Sequence, residues 1–412
     1  MEFSLRIRTS GAVDGQALSE SASEVAVSHF RFVSTVAQTK RGFVWDRRPV
    51  GPVNVFSHDW GQIPAQFCES ISLDDEPGVR LFLGHQPDPD GSDRQGEMWF
   101  RFHHVCCDGL GAVAYVSQVL ERYLRRMGLT NEPHRHSVKT TAHTGRRHRL
   151  TEIQRTFRYF SNQPIQMRCR DGNPSPGRAS SVVTCHLPQV IHCPLRDRMA
   201  ANWNRPPFSL NDLVLHCLFR AIAKWTLDRG MASQGWVRIG VPINLREDSS
   251  KSCAEISNDV GMVFLDRRIE DQEDSEQLMG IHNEMRTIKT RNCGHAMTDV
   301  IRWLAPIPGG LKILTQGDRH TTTAVLSNLG VVDWPRPHDG HGGSFVESVA
   351  FYPPVREGTA LACGVFTQGQ TLRVGCNYDS DAMSELDARF FMALLTDELS
   401  QQRDFWTKAT FE

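Results

Sequence analysis

The sequence contains no long apolar run. No stretch reaches the roughly 18 apolar residues that a membrane-spanning helix needs. The opening segment MEFSLRIRTSGAVDG has no basic start followed by an apolar core, so no secretory leader is expected. The closing TKATFE carries no lipidation motif. Charge of one sign is missing as well. Lys and Arg number 46 against 47 Asp and Glu, a formal net charge of −1. A chain so balanced has no field with which to gather nucleic acid or an anionic membrane. No CxxC pair occurs among the 11 cysteines, so a zinc ribbon is unsupported and no metal site is expected. The odd count, scattered through apolar runs such as LHCLF and LACGVF, reads as reduced, buried thiols of a cytoplasmic protein. No fixed-period repeat is present.

What is present is a globular composition, 40% hydrophobic and 23% charged. At 412 residues the chain exceeds one ordinary core, and two or three domains are expected. Phe3, Leu5 and Ile7 alternate with polar residues, as a half-buried strand does. Val13-Asp14-Gly15 is a turn signal, and residues 16–29 read as a helix. FRFVSTVA reads as a second strand. VRLFLG and EMWFRFHHV read as a hairpin around the loop HQPDPDGSDRQG. After Asp108-Gly109, Val113, Val116, Leu120, Tyr123, Leu124 and Met127 recur at helical spacing, and Gly128 stops that helix. Residues 131–150 are polar, basic and aperiodic, and read as a linker or surface loop.

DGNPSPGRASS, residues 171–181, marks the expected boundary between an N-terminal lobe, 1–175, and a C-terminal lobe, 176–412. The second half opens with the strand SVVTCHL. A helix follows, with Ser209 as N-cap, Asp212 in a capping-box position, and an apolar face from Leu213 to Trp225. WVRIGVPINLR reads as a strand ending in a turn, and residues 273–290 and 384–400 as helices. AVLSNLGVV, SFVESVAFY, ALACGVFT and LRVGCNYD read as strands. Both halves mix the two element types, which gives two α/β lobes.

The segment FRFHHVCCDGLGA carries the chemistry. It sets His103, His104, Asp108 and Gly109 in the order HHxxxDG, between a strong strand and an amphipathic helix. Neighbouring side chains on a strand face opposite ways, so only one histidine can face a given cleft. Gly109 allows a tight backbone. Asp108, at the helix start, is a cap, a partner for a histidine, or half of a buried ion pair. Cys106 and Cys107 lie in an apolar run, where inert thiols are the rule.

HHxxxDG resembles the signature of the chloramphenicol acetyltransferase superfamily, which includes condensation domains, alcohol O-acyltransferases and wax ester synthases. SLNDLVLHCLFRAIAKW and GVPINLR resemble the second-lobe helix and following strand of that family, and ISNDVG and LSNLG resemble later segments more weakly. The motif lies in the first quarter of a long chain, so the resemblance is to the two-lobed, monomeric branch with an active-site tunnel between its lobes. No DFGWG follows Gly364, which argues against the plant branch. The resemblance implies His104 as general base, His103 as a packed structural residue, and an ion pair between Asp108 and Arg246. It implies an acyl-coenzyme A or carrier-protein thioester as co-substrate, with no permanently bound cofactor and a small-molecule hydroxyl or amine as acceptor. Asn258, Ser327 and Asn328 are candidate oxyanion donors or substrate contacts, and equally loop polars. Three functions fit: an acyltransferase, a condensation-type amide-forming enzyme, or a non-catalytic carrier-binding homologue. Gly342-Gly343-Ser344 resembles a carrier attachment serine only faintly, since it runs straight into a strand.

Overall fold

The computed structural model describes residues 1–39, 42–46, 51–62, 65–86, 95–130, 163–169, 182–185, 191–192, 208–232, 234–246, 256–270, 274–307, 309, 322–337, 345–356, 358–368 and 371–408. The basic stretch 131–150, the break at 171–181 and Gly342-Gly343-Ser344 lie outside them.

The chain begins with β1 (Glu2–Thr9) and α1 (Gly15–Val27), which Asp14 caps by accepting from the Ala17 N–H. FRFVSTVA divides in two. Phe30–Phe32 is a 3-10 turn that drives Phe32 into the core beside Phe102 and Tyr115. Only from Thr35 does the chain extend, as β2 (Thr35–Thr39), which pairs with β3 (Gly42–Asp46) in a ribbon of its own. Short β4 (Val55–Ser57) precedes β5 (Val79–His85) and β6 (Gly96–His103), an antiparallel pair as the hairpin pattern required. Then comes α2 (Gly109–Arg126), closed by Gly128 at φ 71°.

In the second half β7 (Val182–Cys185) and β8 (Ile191–His192) precede α3 (Leu210–Asp228). Ser209 and Asp212 form the reciprocal capping box that the sequence announces. β9 (Trp236–Asn244) pairs antiparallel with β10 (Val260–Arg268). Two helices follow, α4 (Asp274–Thr290) and α5 (Gly294–Leu304). β11 (Ala324–Val331), β12 (Val346–Tyr352), β13 (Leu361–Gln368), β14 (Thr371–Asp379) and α6 (Glu385–Lys408) complete the chain.

Two main sheets result. One runs β12-β1-β6-β5-β4; the other runs β10-β9-β11-β13-β14-β7, with β8 also on β14. α1 and α2 cover one face of the first sheet, where Phe3, Leu5, Ile7, Phe100 and Phe102 meet Val113, Val116 and Leu120. Its other face buries Trp99, Phe82, Phe67 and Tyr352 around the ion pair of Arg6 with Glu97. α3 and α6 pack on the second sheet through a separate core. Among the described residues no helix is long and apolar enough to cross a membrane.

The two sheets are joined by exchange. β12 lies late in the chain, yet it forms the edge of the first sheet beside β1. From there it crosses β13 and β14 at Gly364 and Gly375, which face each other in register. A Cβ on either glycine would lie 2.4 Å from the Phe351 carbonyl oxygen. Glycine is required at both because a backbone occupies the space a side chain would fill.

Candidate active site

β6 ends at His103, and the turn His104–Cys107 leads to the Asp108 cap of α2. The strand is fixed on both sides by β1 and β5, so the turn starts from a rigid edge. His103 and His104 are both half-buried and differ in their partners. His103 Nδ1 accepts from the Val105 N–H at 3.3 Å, which keeps that nitrogen unprotonated. The His104 ring meets the edge of Phe3, with centroids 5.3 Å apart. Its backbone N–H donates to the Met1 carbonyl. Burial pushes the pKa of both imidazoles below the ordinary 6.5. For His104 a hydrogen bond to its own backbone and the nearby Asp108 carboxylate pull the other way.

Cys106 and Cys107 are fully buried. Burial pushes the Cys106 thiol up to about 12 and that of Cys107 well above the usual range, so neither supplies a thiolate near neutral pH.

Asp108 joins two roles that its sequence position left as alternatives. As the N-cap of α2 its Oδ1 accepts from the Gly111 N–H at 2.9 Å. It also faces Arg246 in a two-pronged pair, Nη1 to Oδ2 at 2.9 Å and Nη2 to Oδ1 at 3.0 Å. Both residues are buried, 4% and 6% exposed. The Asp259 N–H adds a bond to Oδ2 at 2.8 Å. Arg246 Nη2 donates further to the Ser257 carbonyl and hydroxyl, and Nη1 to Asn244 Oδ1. The Asp108 N–H itself donates to the Ser257 carbonyl. So the segment Ile256–Asp259, from the second half of the chain, is stitched onto the motif turn. Ile256 is buried in the first lobe's core.

Glycine at 109 and 111 serves this contact through space. Gly109 does not adopt a left-handed conformation. A Cβ there would lie 2.7 Å from Leu329 Cδ2 and 3.1 Å from the Phe351 ring. At Gly111 it would lie 2.7 Å from the Ser257 carbonyl oxygen. The tight backbone expected of Gly109 is therefore replaced by close approach of two other segments.

Of the candidate polar residues, Asn258 reaches the histidine. Its Nδ2 donates to the His104 carbonyl at 2.6 Å and lies 3.4 Å from Nδ1. Ser327 and Asn328 lie half-buried on β11 and do not bond to His104. Asn328 is engaged elsewhere, donating to Asn211 Oδ1 and accepting from the Gly330 N–H. Ser257, Asp259 and Asn244 were not singled out by sequence. ISNDVG carried the signal for Ser257 and Asp259 and GVPINLR that for Asn244, and polar loop residues beside a buried guanidinium look like any others until the fold closes. Among the described residues no cluster of three or more His, Cys, Asp or Glu could hold a metal.

No protein-family model matches the chain, and no curated protein is similar to it in sequence. Solved structures are similar over nearly its whole length. The trichothecene 15-O-acetyltransferase of Fusarium sporotrichioides superposes with a TM-score of 0.64 at 10% identity, covering 97% of this chain and 90% of that one. The starter condensation domain of rhizomide synthetase, solved as a variant with C8-CoA and Leu-SNAC, gives 0.62 at 11%, covering 96% and 88%. The first condensation domain of the calcium-dependent antibiotic synthetase, with a substrate analogue, gives 0.58 at 15%, covering 97% and 91%. The chain shares the fold of these condensation domains and this acetyltransferase, with two sheet-bearing lobes.

Proposed function

We propose that the chain is an acyltransferase that moves an acyl group from a thioester to a hydroxyl or amine, with His104 as general base. One observation carries the reading: a half-buried imidazole whose pKa burial pushes down, on a turn held across the two halves by Asp108 and Arg246. The neutral imidazole takes the proton of the acceptor O–H or N–H as that atom attacks the thioester carbonyl. The tetrahedral oxyanion collapses, the C–S bond breaks, and the imidazolium returns the proton to the departing thiolate. A neutral imidazole is needed at the start, and the depressed pKa supplies it at neutral pH.

The donor is an acyl-coenzyme A or a carrier-bound acyl group, in line with the C8-CoA and Leu-SNAC bound to one neighbour. The acceptor is a small molecule that enters a tunnel between the lobes opposite to the donor. On this reading the lobes divide near residue 175, and the protein works as a monomer in the cytoplasm. A condensation-type reaction, joining an amine on one carrier to an acyl group on another, uses the same base, and two of the similar structures are condensation domains.

The test is direct. The protein is incubated with acetyl-coenzyme A, longer acyl-coenzymes and a panel of alcohols and amines, and free thiol is followed. His104→Ala is expected to cost about 10²–10⁴ in rate, as loss of a general base does, while the circular dichroism spectrum stays native. A His104→Ala protein with wild-type kcat would overturn the assignment.

A further inference from the structure

We infer that a trough on the second sheet selects the acceptor, and that it takes an uncharged, largely apolar molecule gripped by Met262 and Val325 and hydrogen-bonded by Ser327. The inference rests on the acyl-transfer reading for the ligand's role as acceptor and on strand geometry for the trough. β9 and β11 pair only at Ile239–Ala324 and Gly240–Val325. Beyond that point each keeps its other partner, β9 with β10 as far as Asn244 and β11 with β13 as far as Val331. The two strands therefore part, and a gap opens between them. Pro242 lies on β9 beside the gap, where a residue without an N–H leaves no ladder bond unmade.

Side chains alternate along these strands. Ile239, Val241 and Ile243 enter the core beneath α3, so Gly240 and Pro242 face the other way, with Met262 opposite Pro242. A Cβ on Gly240 would lie 3.3 Å from Met262 Sδ and 3.5 Å from Val325 Cγ2, so the two side chains close over that glycine. From there both walls run to the motif turn. β11 continues on the same face through Ser327 to Leu329, whose Cδ2 would lie 2.7 Å from a Cβ on Gly109. On the other wall Val260 follows Asn258, whose side chain bonds the His104 carbonyl. From Met262 back to Asn258 is about 13 Å of extended chain. Val260, Met262, Pro242, Val325 and Ser327 are all half-buried, whereas the opposite face of the same strands is buried.

The trough lies between two closed ion pairs. Arg246 is held by Asp108 at one end and Arg238 by Asp266 at the other, each through two bonds. A charged ligand between them would lose its water without gaining a counter-charge. Among the described residues the Ser327 hydroxyl has no hydrogen-bond partner. A plain acyl chain lying along it would cover that hydroxyl and leave it unpaired. An acceptor with an oxygen or nitrogen satisfies it, which decides between the two substrates.

The experiment is carbon-13 NMR of methionine-methyl-labelled protein, with the Met262 signal assigned by its loss in Met262→Leu, titrated with benzyl alcohol, toluene and benzoate. The Met262 methyl is expected to shift saturably with the two uncharged probes, and benzoate to bind at least about tenfold more weakly. Ser327→Ala should weaken benzyl alcohol about fivefold and leave toluene unchanged, with the melting temperature held. A Met262 signal that neither uncharged probe moves would overturn the trough. Benzoate binding as tightly as benzyl alcohol would overturn the uncharged ligand, and an unaltered benzyl alcohol affinity in Ser327→Ala would overturn the hydrogen bond. Turnover with a series of alcohols and a series of acyl-coenzymes then identifies the occupant. Met262→Ala and Val325→Ala should reorder KM among the alcohols and leave the acyl-chain order as in the wild type; the reverse would place the acyl chain in the trough and overturn the assignment. If no thioester is turned over, the acyl-transfer reading fails, and the titration still decides whether the trough binds an uncharged apolar molecule.

Discussion

Asp108 shows why a single residue can have two explanations at once. A helix cap is worth about 1 kcal/mol, whereas removing one member of a buried pair leaves an unpaired charge at about 3–5 kcal/mol. The same carboxylate serves the Gly111 N–H and the Arg246 guanidinium. The two contributions cannot be separated by one substitution. In a double-mutant cycle, Asp108→Ala and Arg246→Ala are each expected to destabilise the protein by about 3–5 kcal/mol in urea melts. The double variant should fall well short of the sum, because the second deletion removes a charge already left unpaired. Both single variants should also lose activity, since the turn carrying His104 loses its anchor. Additive effects would mean that cap and pair act independently.

At the scale of elements, the junction of β12 with β13 and β14 decides how the sheets meet. A Cβ at Gly364 would lie 2.4 Å from the Phe351 carbonyl oxygen and 2.7 Å from Pro353 Cδ. A backbone carbonyl in a paired strand cannot swing aside as a side-chain tip can. Asn377 Nδ2 also donates to the Pro353 carbonyl at 2.6 Å, which fixes the crossing. Gly364→Ala should therefore cost about 1–3 kcal/mol, read as a lower urea midpoint at constant slope. Gly51→Ala, where nothing lies within 4 Å of the added carbon, is the control and should be near neutral. Equal midpoints for the two variants would show that the crossing is loose.

For the whole molecule, histidine burial links pH to stability. His29, His103 and His104 all have their pKa lowered, each chiefly by burial. A lowered pKa means that the unfolded chain takes up protons first as the pH falls. The stability these residues contribute is present above about 6.5, the value of a free imidazole, and is lost as the pH drops through their folded values. Urea melts at pH 7.5 and 5.5 should show a lower midpoint at 5.5. In a protein carrying His29→Gln and His103→Gln the difference should shrink. A difference that survives both substitutions in full would assign the acid sensitivity to His104 or to carboxylates instead.

The sequence by itself determined the elements and the motif. Alternation in Phe3, Leu5 and Ile7, the Ser209–Asp212 capping box and the stop at Gly128 are local signals, written within one or two turns of chain. Where reading failed, the cause was a tertiary contact. Phe30–Phe32 looks extended but bends because Phe32 gains more by burial against Phe102 and Tyr115. β10 and α5 were passed over in the sequence, and each shows its burial only against its partner, β10 on β9 and α5 on both. Tertiary structure alone decided that a late strand edges the first sheet and that Ser257, Asn258 and Asp259 meet the motif turn. Those contacts join residues more than 100 positions apart, and no local pattern encodes which distant polar groups a buried carboxylate will gather. That choice is made when the two cores close and every buried donor must find an acceptor.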